Sequence, residues 1–230
     1  MIHLTGQNIK IDRPTAVAIG KFDGVHRGHM ALLTELKRVA KLRGLQTLVL
    51  TFSPHPIAFF RKTHLPLILD PKEKLELFES LQFDYYLEYT FDDVFAQRTA
   101  EEFMREILCR QLQARAMVVA EGYRFGRGGA GDVALAERVG AELGIEVQAI
   151  GHVVHEGHKI SSDYLRGLIS EKNFALTQAL LGRKFSIKGR AEGSPPAIIP
   201  HPDKLLPPDG IYNTTICLDN KAHKSVAEIA

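Results

Sequence analysis

Two histidines three residues apart, His26 and His29, sit in Gly20-Lys21-Phe22-Asp23-Gly24-Val25-His26-Arg27-Gly28-His29. A short apolar run, Ala16-Val17-Ala18-Ile19, precedes this stretch, and an amphipathic run from Met30 to Arg43 follows it. The order predicts a strand, a tight turn and a helix, with both imidazoles on one face of the first helical turn. Free N–H groups and the helix dipole favour an anion at that place. Imidazoles there can hydrogen-bond phosphate oxygens and stabilise a transferring phosphoryl group, which suits a nucleoside triphosphate. Gly24 and Gly28 let the backbone approach a ligand, and Asp23 can orient a histidine or cap the helix.

Three further stretches carry groups of the same kind. Phe52-Ser53-Pro54-His55-Pro56 follows a predicted strand, and its prolines predict a stiff loop. Phe59 and Phe60 just beyond it can stack on a planar ring. Glu121-Gly122-Tyr123-Arg124-Phe125-Gly126-Arg127 opens a glycine-rich loop ending at Gly131. Arg124 and Arg127 there can close on phosphates, and Tyr123 or Phe125 can pack on a base or flavin ring. It is not a Walker A loop, because no Gly-Lys-Ser/Thr follows. Ile160-Ser161-Ser162-Asp163-Tyr164-Leu165-Arg166 predicts a helix start with hydroxyls and an arginine one turn on, a second anion cradle. His152, His155 and His158 are spaced by three, but a Glu156-Gly157 turn separates them and no cysteine is near, so solvated side chains are expected rather than zinc.

The elements that must position these groups alternate. Strands are predicted at Ala16–Ile19, Gln46–Phe52, Asp84–Glu88, Met117–Ala120 and Ile145–Ile150. Helices are predicted at Arg27–Arg43, Asp70–Leu81, Thr99–Gln111, Val133–Leu143, Ser161–Glu171 and Phe174–Leu181. Asp70-Pro71 supplies an N-cap with proline at the first helical position, and Thr99 with Glu102 a capping box. Alternation of this kind predicts a parallel sheet covered on both faces, with ligands beyond the carboxyl ends of its strands. After Gly182 the composition changes: prolines crowd residues 195–208 and only Ile211–Leu218 is strongly β-favouring. A boundary near 183/184 and a small β-rich tail are expected, with an edge strand that invites pairing, a second copy included.

The 230 residues carry a net charge of +2, which argues against a nucleic-acid binder relying on bulk charge. No apolar run approaches membrane-spanning length, the N-terminus lacks signal-peptide regions, and the two cysteines, Cys109 and Cys217, predict a reducing compartment. A cytoplasmic protein is expected.

Taken together, the stretches at 20–29, 52–56, 123–126 and 160–166 resemble, in order and spacing, the bacterial FAD synthetases, bifunctional riboflavin kinase/FMN adenylyltransferases. The resemblance runs from about Ala16 to Arg190. It implies an α/β fold: a Rossmann-like nucleotidyltransferase domain over 1–183, then a truncated kinase-like β segment over 184–230. It implies AMP transfer from ATP to FMN with Mg²⁺ assisting and no protein metal site. His26, His29 and Arg166 would be catalytic. Gly20, Phe22, Asp23, Gly24, His26, His29, Ser161, Ser162 and Arg166 would bind ATP. Phe52, His55, Pro56, Phe59, Tyr123 and Phe125 would line the flavin site. Three departures stand out. Gly122 replaces an Asp or Asn of the flavin-side loop, and Asp163 replaces a threonine. Pro195-Pro196-Ala197-Ile198 aligns with a kinase motif whose threonine and asparagine are lost, so kinase activity is expected to be absent. Two alternatives stay open: a different phosphorylated acceptor, favoured by Gly122, and a non-catalytic flavin or nucleotide sensor, disfavoured by the intact histidines.

Overall fold

The computed structural model describes residues 1–193, 197–218 and 221–230. In chain order the elements are β1 (Ile2–Gly6), β2 (Thr15–Ile19), α1 (Arg27–Arg43), β3 (Gln46–Ser53), α2 (Pro56–Arg61), α3 (Pro71–Ser80), β4 (Tyr85–Thr90) and α4 (Asp93–Ala96). Then come α5 (Ala100–Glu102), continuing as a π-helix over Phe103–Gln111, β5 (Ala114–Ala120), α6 (Val133–Leu143), β6 (Glu146–Ile150) and the hairpin of β7 (Val154–His155) and β8 (His158–Lys159). The remainder is α7 (Ser162–Ser170), α8 (Phe174–Leu181), β9 (Gly189–Glu192), β10 (Ala197–Pro200), β11 (Gly210–Leu218) and β12 (Lys221–Ile229).

Six strands form one sheet in the order β1-β4-β3-β2-β5-β6, and every pairing is parallel. From β2 the chain winds outward through β3 and β4, then returns to the other side of β2 for β5 and β6. The order therefore reverses between β2 and β5, and the crevice for a ligand lies beyond the carboxyl ends of those two strands. The turn at 20–26 leaves β2, and the glycine-rich loop leaves β5, so the topology brings both to that crevice.

Strand alternation divides the core between the two faces. Ala16, Ala18, Val49 and Tyr86 face α1 and α3 with Leu33, Leu36 and Phe78. Val17, Ile19, Leu50 and Leu87 face Met104, Ile107, Ala136 and Val139 on the opposite layer. Alanines at 16 and 18 let α1 lie close to the central strand. A third cluster joins α7 and α8 through Leu165, Ile169, Leu180 and Leu181 to Ile68, with Phe185 and Leu205 of the tail packed against it.

Several expectations are corrected. The stretch after Pro54 is not a loop: His55 caps and Pro56 opens the short helix α2. The helix after Thr99 keeps its capping box but runs mostly as a π-helix. β1 lacks an alternating apolar signature because it is an edge strand with most of its residues exposed. Ile211–Leu218 has a partner, pairing antiparallel with Lys221–Ile229. Pro195 and Pro196 of the kinase-motif comparison lie outside the described residues.

The tail is tied to the body at specific points. Lys204 is buried, pairs with Glu73 at 2.5 Å and donates to the Ile68 carbonyl at 2.8 Å. Leu67 donates to the Asp203 carbonyl at 2.7 Å, and Leu205 donates back to Leu67 at 2.8 Å. Tyr212 at the start of β11 meets Phe174 edge-on, with ring centroids 5.7 Å apart.

Candidate active site

The chain leaves β2 through a turn whose backbone is unusual. Phe22, Gly24 and Val25 have φ of 51°, 81° and 39°. A left-handed conformation at a β-branched valine costs about 1–3 kcal/mol, so the surroundings must hold it. They do so through the carbonyls. Thr51 Oγ1 donates to Lys21 O at 3.2 Å and Ser162 Oγ to Asp23 O at 2.9 Å. Arg183 donates to Gly24 O at 2.5 Å and to Val25 O at 3.0 Å. Side chains from β3, α7 and the end of α8 thus fasten four carbonyls of one turn.

His26 is the N-cap of α1, its Nδ1 accepting from the His29 N–H at 3.3 Å. The two imidazoles stack, with centroids 3.7 Å apart and planes within 17°. The His26 ring lies over Gly28, and Ile160 just before α7 is close by. The N-termini of α1 and α7 therefore converge, which no local pattern indicated. His29 also meets the Phe22 ring edge-on at 5.3 Å, and its Nδ1 is shielded from solvent with no partner among the described residues.

Burial sets the charge of both rings. His26 is lowered from 6.5 to about 4, first by desolvation and then by Arg183 and Lys159. His29 is held well below its ordinary value by burial and by the adjoining His26. Both are neutral at pH 7, so each has an N–H to donate without repelling its neighbour. Protonating His26 in the unfolded chain near 6.5 draws the equilibrium away from the fold as pH falls. This ring should remove roughly 2 kcal/mol of stability between neutrality and about pH 5. Urea unfolding checks this: wild type should lose stability more steeply with acid than His26→Asn, which keeps a capping side chain but cannot titrate.

Asp23 is buried beneath the turn. Its Oδ1 accepts from Ile68 N at 2.9 Å and its Oδ2 pairs with Arg166 Nη2. Burial raises its pKa, and Arg166 opposes the rise. Arg166 also donates to Pro66 O at 3.0 Å and to Asp163 at 2.6 Å. The Asp163 side chain is 89% exposed, so this carboxylate points outward. Ser161 Oγ caps α7 by accepting from Tyr164 N at 3.2 Å.

The structure brings Gly20, Asp23, Gly24, His26, His29, Ser161, Ser162 and Arg166 together. Phe22 differs from expectation: it is fully buried against Phe78, so its ring supports His29 from below rather than offering a surface. Phe125 is likewise buried, between Phe103 and Tyr123, the latter stacked at 5.4 Å. The glycine-rich loop is anchored rather than loose. Gly126 lies so close to Ala100 that a Cβ there would fall 2.5 Å from its nitrogen, and Arg127 N donates to Arg98 O at 2.7 Å. The half-buried Tyr123 has its hydroxyl raised by burial.

Phe52, Phe59, Phe60 and Phe91 form an aromatic cluster beyond β3 and β4, with Phe60 61% exposed. His55 borders it and is lowered to about 4, chiefly by burial and then by Lys21, Arg166 and Lys74. Lys21 and Lys74 make no ion pair among the described residues, and burial lowers both. Neither lysine was singled out in sequence. Lys21 lies within the histidine stretch, while Lys74 carries no local signal. At Gly122 the nearest group to an added Cβ is His152 Nε2, at 3.9 Å, and His152 is paired with Lys159 at 3.0 Å.

A doubly wound parallel sheet, with paired imidazoles where its central strand enters a helix, makes this an α/β protein with an anion site at the switch point of its sheet. The FAD synthetase family profile matches residues 8–164, and the chain belongs to that family. The bifunctional riboflavin kinase/FMN adenylyltransferase of Escherichia coli K12 is 34% identical over 224 residues, covering 93% of this chain and 72% of its own length. The enzyme of the same name from Buchnera aphidicola of Schizaphis graminum is 31% identical over 232 residues, covering 96% and 74%. A solved structure described as a macrolide-efflux protein from Streptococcus pneumoniae superposes with a TM-score of 0.85 at 23% identity. It covers 100% of this chain and 79% of that one, and shares the fold.

Proposed function

We propose that this chain is an FMN adenylyltransferase, forming FAD and pyrophosphate from ATP and FMN. The observation that carries the reading is the neutral, stacked His26–His29 pair at the converging starts of α1 and α7, in a member of the FAD synthetase family. An FMN phosphate oxygen attacks the α-phosphorus of ATP. The bond from that phosphorus to the bridging oxygen breaks, and pyrophosphate leaves. The nucleophile is already anionic, so positioning and charge stabilisation suffice and no strong base is needed. Imidazole N–H groups of His26 and His29 donate to the phosphoryl oxygens as charge builds. Arg166, with the N–H groups at the start of α7, stabilises the leaving pyrophosphate.

Mg²⁺ belongs to this reading as part of the ATP complex. No group of three His, Cys, Asp or Glu side chains among the described residues is arranged to hold a metal, and Asp23 spends its carboxylate on Arg166 and on backbone N–H groups.

The aromatic cluster of Phe52, Phe59, Phe60 and Phe91 with His55, Pro56 and Tyr123 is assigned to the flavin. Phe60→Ser should raise KM for FMN about tenfold, a magnitude ordinary for one aromatic stacking contact, and leave KM for ATP unchanged. In this reading residues 1–183 form the transfer unit, 184–230 are a kinase-like segment without kinase activity, and the protein works in the cytoplasm. The deciding assay incubates the protein with ATP, Mg²⁺ and either FMN or riboflavin and separates the flavins. FAD from FMN supports the proposal. FMN from riboflavin would refute the loss of kinase activity. FMN bound tightly without turnover would favour a sensor.

A further inference from the structure

The segment Gly182-Arg183, which follows α8, returns to the turn at 20–26 across more than 150 residues of chain. One guanidinium holds two successive carbonyls there: Nη2 donates to Gly24 O at 2.5 Å, and Nη1 donates to Val25 O at 3.0 Å and to Leu181 O at 3.3 Å. Those carbonyls belong to the two residues immediately before His26, both in the left-handed region. The Val25 side chain is buried in the core, so it cannot swing out to relieve its backbone. Without the clamp, the Gly24–Val25 and Val25–His26 peptides lose the hydrogen bonds that fix their planes, and the N-cap imidazole that follows is held less firmly. Separate nitrogens of one planar fork meet the two carbonyls, a fixed spacing that suits arginine better than the single nitrogen of lysine.

We propose that Arg183 is a positioning residue for adenylyl transfer, fastening the Gly24–Val25 backbone so that His26 and His29 are presented to the triphosphate in register. Its link to the reaction rests on the proposed function; its link to the turn does not. The tail follows the same logic nearby. Lys204 fixes the Ile68 carbonyl, and the Ile68 N–H in turn binds Asp23. Arg183 is the direct contact and carries the test.

Arg183→Ala should lower kcat for FAD formation at least tenfold while KM for FMN stays within twofold. Arg183→Lys should recover part of kcat, and guanidinium ion at millimolar concentration should partly rescue the alanine variant. Hydrogen exchange of the Gly24, Val25 and His26 amides should quicken at least tenfold in Arg183→Ala, with core strand amides unchanged. The His26 ring should titrate higher in Arg183→Ala than in wild type, because a nearby positive charge is gone. Wild-type kcat in the alanine variant would overturn the positioning role. Unchanged exchange at residues 24–26 would overturn the clamp itself, and it reads out even if wild type makes no FAD. Should Arg183→Ala fail to fold, Arg183→Gln, which can reach one carbonyl, carries the same measurements.

Discussion

Replacing His29 by alanine is expected to lower kcat for FAD formation by about 10²–10³-fold, the range for removing one preorganised donor from a transition state. The ring stacks on His26 at 3.7 Å and is braced by Phe22 at 5.3 Å, so its direction is set before substrate arrives. Burial and the adjoining His26 keep it neutral, so it donates from one ring nitrogen without setting a positive charge against His26. Some stability should also be lost, because removing the packed ring leaves a void beside His26 and Phe22, although the shielded Nδ1 has no hydrogen bond among the described residues to lose. A steady-state assay with ATP and FMN, paired with thermal unfolding, separates the two effects. An unchanged kcat would remove His29 from the mechanism.

Arg166→Met should destabilise the protein by about 3–5 kcal/mol, the usual cost of leaving a buried carboxylate without its partner. Asp23 is 3% exposed and cannot recover water when the guanidinium is removed. Asp23→Asn combined with Arg166→Met removes the stranded charge while keeping an oxygen for the Ile68 N–H. The double variant should regain most of the stability. If Arg166 also stabilises pyrophosphate, the double variant should remain as slow as Arg166→Met. Urea unfolding of the two single variants and the double variant gives the coupling energy, and kcat of the same set gives the chemical role. Recovery of both stability and turnover would restrict Arg166 to architecture.

The two predictions rest on features of different legibility. His26 and His29 are three residues apart on a helix whose start is marked by the preceding strand, so their shared face follows from helical geometry alone. The helix ends at Gly44 and Gly144, and the caps at Asp70 and Thr99, are equally local. The π-helical run and β1 were not legible. A π-helix and an α-helix share one apolar pattern over so few turns, and β1 shows little burial to mark it. Phe22 and Phe125 illustrate another limit: an aromatic beside a motif can be a ligand's surface or the floor beneath it, and only packing distinguishes them.

The α/β alternation, the histidine turn at the end of β2 and the order of the motifs can all be read from the residues alone, because each arises from interactions within a few positions. The convergence of α1 with α7, the Asp23–Arg166 pair 143 residues apart, and the grip of Thr51, Ser162 and Arg183 on one strained turn were decided only by the tertiary structure. Those contacts join segments whose separation along the chain carries no periodic signal, and the left-handed backbone at Val25 is tolerated only because all of them act on it together.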